Sequence, residues 1–260
     1  MDMKLLYPRL AANLVIVLVE PIHPGNIGSA ARAIKNMGCS KMRLVRPHRF
    51  PCREAFWRAS SALDVLHNAG IYGTVEEAIN DCSVVYATSS RLRSQMKPEL
   101  LLRPACQEIL GLLARRSSPK VAILFGREDF GLSTKSLILA DRQIRIPASN
   151  DYPSLNLAMA VQISCYELYQ AFLDNEKQTN EMKLSEYRGK SLLPTKGQLE
   201  ALYAQVENLM IESKFLNPNK QRRMTLRLRN MLSRSTVDKN DVDLLLGMVK
   251  SLDPKSRRKK

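Results

Sequence analysis

Short, nearly unbroken apolar runs alternate along the chain with stretches in which apolar residues return every three or four positions. The runs cover Asn13–Val19, Lys41–Val45, Ser83–Ala87, Lys120–Phe125 and Arg142–Ile146. Between them the longer spacing predicts helices over Ser29–Met37, Ala62–Asn68, Val75–Ile79, Glu99–Ala114 and Thr134–Leu139. A strand that is apolar at successive positions is buried on both faces, and strands separated by helices are joined by crossovers. The expected fold is α/β, a mostly parallel sheet with helices on both faces.

The segment Leu155–Leu173 is apolar on most sides, which places it deep in that domain or against a second subunit. Composition then changes. Asp174–Ser191 is almost wholly polar and reads as a linker, and beyond Pro194 three helical patterns follow without a strand: Lys196–Ser213, Asn219–Ser233 and Lys239–Ser251. Asp238 is placed to cap the last of these, and Asp253-Pro254 ends it. The expected organisation is an α/β domain over 1–173, a linker over 174–193 and a small all-α domain over 194–260, closing on a disordered basic tail, KSRRKK.

Charge adds a partner. There are 40 Lys+Arg against 25 Asp+Glu, a net +15, with positive charge densest toward the C-terminal end. Such a balance fits a polyanion, because neutralising phosphates releases counterions. On a helical wheel of the middle appendix helix, Lys220, Arg223, Arg227 and Arg234 share one ridge and Arg222 and Arg229 a second. Met224, Leu228, Met231 and Leu232 lie between them. That helix is expected to dock by its apolar stripe and to meet RNA with cationic flanks. Five cysteines without a CxxC pair and three scattered histidines suggest reduced thiols and no metal site. With no long apolar run and no cleavage signal, a cytoplasmic protein outside the membrane is expected.

Candidate chemistry lies just after strands. Gly25-Asn-Ile-Gly28 follows the first run, but a dinucleotide site needs GxGxxG and a later acidic residue, which the basic second strand lacks. The glycines serve either a ligand-shaping turn or a turn whose backbone lies close to another segment. Arg32, in the helix that this turn opens, is either an anion clamp or an ion-pair partner. Gly126–Leu132, Ala148–Asn156 and Thr88-Ser-Ser-Arg91 also follow strands, and in open α/β sheets ligands bind at the carboxyl ends of strands. These loops can share one crevice.

Taken in order, EPIHPGNIGSAARAIKNMG, LFGREDFGLS and IPASNDYPSLNLAMAVQ resemble the three signature motifs of the SPOUT methyltransferases, in the branch that methylates ribose 2′-hydroxyls. The appendix from Phe215 to Leu252 resembles the C-terminal domain of the TrmJ family of bacterial tRNA 2′-O-methyltransferases. The resemblance implies a C-terminal trefoil knot that binds S-adenosylmethionine, and a homodimer with its sites at the subunit interface. It also implies tRNA as substrate, modified at nucleotide 32 of the anticodon loop, in cytidine or uridine. Thr88, Ser89 and Ser90 then match an adenosine-site segment, Ser90 departing from the family's alanine. Gly126, Ile146, Ser154 and Leu155 match positions that hold the cofactor largely through backbone, and Pro153 stands where relatives often carry serine. Asn26, Arg32, Glu128, Ser154 and Asn156 fall near the reacting ends, and the Gly25–Gly28 turn would shape the mouth where ribose meets donor.

The chemistry implied is in-line methyl transfer without a metal, so alignment and exclusion of water carry the catalysis. A guanidinium is a poor proton acceptor. Arg32 is therefore expected to anchor the adjoining phosphate and steady an incipient alkoxide, and Ser154 to hydrogen-bond the hydroxyl or the cofactor. The proton acceptor stays open among solvent, a phosphate oxygen and a transiently neutral arginine. Two other readings share part of these features: a relative acting on rRNA, and an RNA-binding protein without catalysis.

Overall fold

The computed structural model describes residues 12–89, 99–115, 117, 119–179, 192–215, 221–234 and 237–252. The chain divides into two compact units, Met1–Gly189 and Lys190–Lys260. The first runs β1 (Leu14–Val19), α1 (Pro24–Asn36), β2 (Lys41–Val45), α2 (Arg53–Ala59), α3 (Leu63–His67), β3 (Gly70–Tyr72) and α4 (Val75–Ile79). It continues through β4 (Val84–Thr88), β5 (Glu99–Leu101), α5 (Leu102–Leu113), β6 (Val121–Phe125), α6 (Thr134–Leu139), β7 (Arg142–Arg145) and α7 (Leu157–Thr179).

The strands form one sheet in the order β3-β2-β1-β6-β4-β7-β5, with every pairing parallel. All six residues of β1 and all five of β6 are buried, as strands covered on both faces must be. Alternation divides the apolar set. Val15, Val17, Ala122 and Leu124 share a core with Ile79 of α4 and Leu137 of α6. On the opposite face Tyr86 is fully buried and its hydroxyl donates to Glu108 of α5 at 2.8 Å. Helix α7 packs against α1 and α5. Each fully buried Leu, Ile or Val contributes about 1.5–3 kcal/mol, so the central strands are the most strongly held part of the unit.

Ends are fixed locally. Thr74 and Glu77 form a capping box on α4, and Ser133 accepts from the Ser136 N–H to start α6. Asp81 receives two hydrogen bonds from Arg43 of β2, at 2.6 and 2.9 Å, and one from Lys120 at 2.7 Å, which ties the approaches to β4 and β6 to β2.

Several expectations change. The three-residue strands β3 and β5 and the helix α2 carry no run long enough to show in the pattern. Glu99–Leu101, read as the first helical turn, instead pairs with β7, and α5 begins at Leu102. Helix α1 begins at Pro24, not Ser29, because proline at the first helical position has no N–H to leave unpaired. Gly25–Gly28 is therefore the first helical turn and not a loop. Helix α7 runs on to Thr179, into the expected linker, whose residues 180–191 lie outside the described ones.

The second unit holds α8 (Lys196–Glu212), α9 (Gln221–Arg234) and α10 (Lys239–Leu252). Thr195 and Gln198 form a capping box on α8, and Asp238 caps α10 as expected, accepting from the Asp241 N–H at 2.8 Å while its own N–H donates to the Asp241 carboxylate at 3.0 Å. Arg229, from one of the two cationic flanks of α9, does not face outward. Arg229 forks onto the Glu200 carboxylate of α8, one of the two bonds 2.6 Å long, and lies 4.4 Å over the Tyr203 ring. Met231, placed on the docking stripe by its spacing, is 54% exposed, whereas Arg227 is exposed as expected. The tail KSRRKK lies outside the described residues.

Candidate active site

Strands β1 and β6 are neighbours, yet the chain leaves β1 toward β2 and leaves β6 toward β7, on opposite sides. A crevice opens at such a divergence, outside the carboxyl ends of the strands. Glu128, in the loop after β6, spans it. Its carboxylate accepts from the backbone N–H of Ile22 at 2.9 Å and of His23 at 3.2 Å, and from Asn26 Nδ2 at 2.8 Å. Asn156, from the loop after β7, donates through Nδ2 to Asn26 Oδ1 at 3.0 Å, while its own Oδ1 accepts from the N–H groups of Ala158 and Met159 and starts α7.

This chain of bonds joins the loops after β1, β6 and β7 and sets both amide orientations, since each amide nitrogen meets an acceptor. Burial pushes the Glu128 carboxyl up, but the bonds from Asn26, Ile22 and His23 outweigh it and hold the group below the usual glutamate range. A carboxylate at the N-terminus of α1 also complements the helix dipole. Glu128 is thus ionised with its lone pairs engaged. Asn26, Glu128 and Asn156 hold these segments against one another.

Arg32 lies eight residues beyond Pro24, two turns into α1. The buried residues of α1 occupy the rest of its circumference, leaving one open stripe through Gly25, Ser29, Arg32 and Asn36. Arg32 is exposed and makes no side-chain hydrogen bond or ion pair among the described residues. Helical side chains lean toward the N-terminus, so a long side chain here can reach along the stripe toward the Asn26 end.

Gly126 explains the second loop. A methyl group there would lie 2.1 Å from the Gly131 carbonyl carbon and 2.2 Å from Leu132 N, so the hairpin-like return of 127–131 exists only because this residue has no side chain. Gly28 follows the same rule for a different neighbour: a Cβ would fall 2.1 Å from the Ala55 carbonyl oxygen, so its absence lets α2 close on α1. That is the close backbone approach anticipated as one of the two uses of these glycines.

At the end of β4, which stands between β6 and β7, the Thr88 hydroxyl donates to the Leu124 carbonyl at 2.9 Å and the Ser89 N–H to the Ile144 carbonyl at 3.0 Å. Both bonds hold the three strand ends in register. Ser90 lies outside the described residues. Ile146 and Leu155 are half-buried and Ser154 is exposed, in a loop over 146–156 whose other residues are exposed. A cradle of main chain and small side chains at three adjacent strand ends suits a nucleoside-bearing cofactor held through backbone groups.

Residues 13–166 match the SpoU rRNA Methylase family. The chain belongs to the SpoU methylase family. Its residues 197–260 match the C-terminal domain of the tRNA methyltransferase TrmJ. Among SpoU methylases of known sequence, the chain is 40% identical over 238 residues to the tRNA (cytidine/uridine/adenosine-2′-O-)-methyltransferase TrmJ of Pseudomonas aeruginosa, covering 90% of this chain and 91% of that one. It is 35% identical to the TrmJ of Sodalis glossinidius, covering 93% and 91%. The solved TrmJ of Zymomonas mobilis superposes with a TM-score of 0.76 at 31% identity, over 92% of this chain and 98% of that one. A SpoU methylase of this kind therefore carries the TrmJ-type helical domain as well as the catalytic one.

Sequence reasoning missed one feature of the crevice wall. Glu20 and Arg46, at the ends of β1 and β2, have φ of 53° and 43° without being glycine, and their side chains form an ion pair. Arg127 approaches the same Glu20 at 3.7 Å. Left-handed backbone at non-glycine residues costs on the order of 1 kcal/mol each and collects where ligands bind. Only the tertiary pairing of the two strand ends could reveal it.

Proposed function

We propose that the protein transfers a methyl group from S-adenosylmethionine to a ribose 2′-hydroxyl of tRNA, at nucleotide 32 of the anticodon loop. The observation that carries this reading is the Asn26–Glu128–Asn156 chain, which brings the three motif loops to one crevice beside Arg32. The TrmJ-type C-terminal domain favours tRNA over rRNA. The backbone of Thr88, Ser89, Gly126, Ile146, Ser154 and Leu155 would hold the cofactor, with Ser90 continuing the same segment. Bound there, S-adenosylmethionine supplies a sulfonium-activated methyl carbon for in-line attack by the ribose oxygen. Arg32 anchors the adjoining phosphate and steadies the oxygen as its proton leaves, Ser154 hydrogen-bonds the hydroxyl or the cofactor, and the three-residue chain keeps the mouth in shape.

The same reading includes a threaded C-terminal segment, supported by β7 lying between β4 and β5 although both precede it in the chain. It also includes a cytoplasmic homodimer. On α7, Met159, Ile163 and Tyr166 are 62%, 36% and 47% exposed at spacings of four and three, an apolar stripe suited to a second copy. Ile163→Asp is expected to give a monomer in sedimentation and to lower activity.

The deciding experiment is incubation with labelled cofactor and either unmodified tRNA or ribosomal RNA, followed by nucleoside mapping. Label in tRNA at a 2′-O-methylated pyrimidine 32 supports the reading. Label only in rRNA, or none with cofactor bound, overturns it.

A further inference from the structure

Beside the crevice stands a surface that the proposed mechanism does not use. Trp57, the chain's single tryptophan, is 80% exposed on α2. The fold does not need it there, because α2 is already docked by Ala55 and Ala59, both 0% exposed, with Ala55 closing on Gly28 of α1. Three arginines lie within eight residues of it in the chain. Arg53 lies one turn earlier on the same ridge, Arg58 is the next residue, and Arg49 precedes the helix; all three are exposed and without an ion-pair partner among the described residues. Glu54 shares the helix, but its carboxylate is turned toward Gly25 and pairs with none of them.

This patch is fastened to the loop after β1 and to α1. Next to it in the chain, Phe50 stacks on Phe56 with ring centres 5.9 Å apart, and the His67 ring lies tilted against Phe56 at 5.2 Å. The His48 N–H donates to the Pro21 carbonyl at 3.0 Å, fastening this segment to the loop after β1. The Arg58 side chain lies across α1, where a methyl on Gly25 would come within 3.9 Å of its Nε. Gly25 is on the open stripe of Arg32, so the two arginines border one surface.

An exposed indole flanked by unpaired guanidiniums is the combination that binds unpaired nucleotides, the base stacking on the ring and its phosphates meeting the cations. Two copies of so basic a face would repel each other. We propose that Arg49, Arg53, Trp57 and Arg58 form a docking platform for single-stranded RNA next to the active site, on which an unpaired base flanking the modified nucleotide stacks on Trp57 while Arg58 grips a neighbouring phosphate. This rests on the RNA-methylation reading above.

Because there is one tryptophan, its fluorescence reports this surface alone. Titration of the full-length protein with an unmodified tRNA transcript is expected to quench it, in step with binding followed independently by anisotropy of labelled tRNA. Trp57→Leu should weaken tRNA binding about tenfold or more, and Trp57→Tyr should restore most of it. Arg53→Ala with Arg58→Ala should lower the slope of log affinity against log salt by roughly 0.7–0.9 per arginine. Binding of S-adenosylhomocysteine by calorimetry should not change in any of them. Full-affinity tRNA binding without quenching, or by Trp57→Leu, would overturn the platform and leave the proposed function standing. Absence of tRNA binding by the unaltered protein would remove both. A fluorescence change that follows protein concentration without RNA, matched by sedimentation, would make Trp57 a contact between copies and overturn the proposal.

Discussion

Asn156 donates to Asn26 at 3.0 Å across 130 residues of sequence, and the same Asn156 starts α7 by accepting from two backbone N–H groups. Its two roles separate by substitution. Asn156→Ala loses both and should cost about 1–3 kcal/mol in urea unfolding. Asn156→Ser keeps a cap but cannot reach Asn26, so it should unfold near the unaltered midpoint while losing affinity for S-adenosylhomocysteine and turnover together. Equal losses of stability in the two variants would deny the bridge a separate role.

Arg32→Ala should bind S-adenosylhomocysteine as before, since the arginine sits on the open stripe of α1 and not among the cofactor loops. Its single-turnover rate should fall at least about a hundredfold, the scale of removing a preorganised donor to a developing oxyanion. Arg32→Lys should recover only part, because a point charge cannot fork to phosphate and oxygen. Full activity in Arg32→Ala would end the assignment.

Gly126→Ala should abolish cofactor binding in calorimetry. The added methyl would lie 2.1 Å from backbone, so the loop over 127–131 must open. The seven strands keep their pairing, so far-ultraviolet circular dichroism should change little.

Acid sensitivity should centre on Asp81. The hydrogen bonds from Arg43, opposed by burial and aided by Lys120, hold its carboxyl far below the usual aspartate value of 3.8. A depressed folded value means that the stabilisation is complete above 3.8 and is lost as pH falls through the folded value. Asp81→Asn should therefore be less stable than the unaltered protein at pH 7. The gap should begin to close below about pH 4 in denaturant melts and shrink further with more acid. A gap independent of pH would refute the clamp.

In the helical unit Arg227 and Arg229, two residues apart, should behave differently. Arg227→Ala should weaken tRNA binding without lowering the unfolding midpoint. Arg229→Ala strands Glu200 and uncovers Tyr203, so it should lower the midpoint first, with any loss of tRNA binding following from that. The reverse order, measured by thermal melts and filter binding, would place Arg229 on the RNA.

How much of this was legible depends on the range of the force that decides each feature. Burial on both faces of a parallel sheet leaves unbroken apolar runs, so β1, β2, β4, β6 and β7 could be read from the chain, as could the cap at Asp238, which acts within three residues. The motif loops were legible as residue types. What they do to one another was not, because Glu128 finds its partners more than a hundred residues away. Likewise β3 and β5 are strands only because a neighbour offers hydrogen bonds, Gly28 is obligatory only because α2 arrives there, and Arg229 turns inward only because Glu200 and Tyr203 wait on the adjacent helix. Periodicity records which surface leaves water. Which groups then meet is settled by packing, when the chain brings distant backbone and side chains into contact.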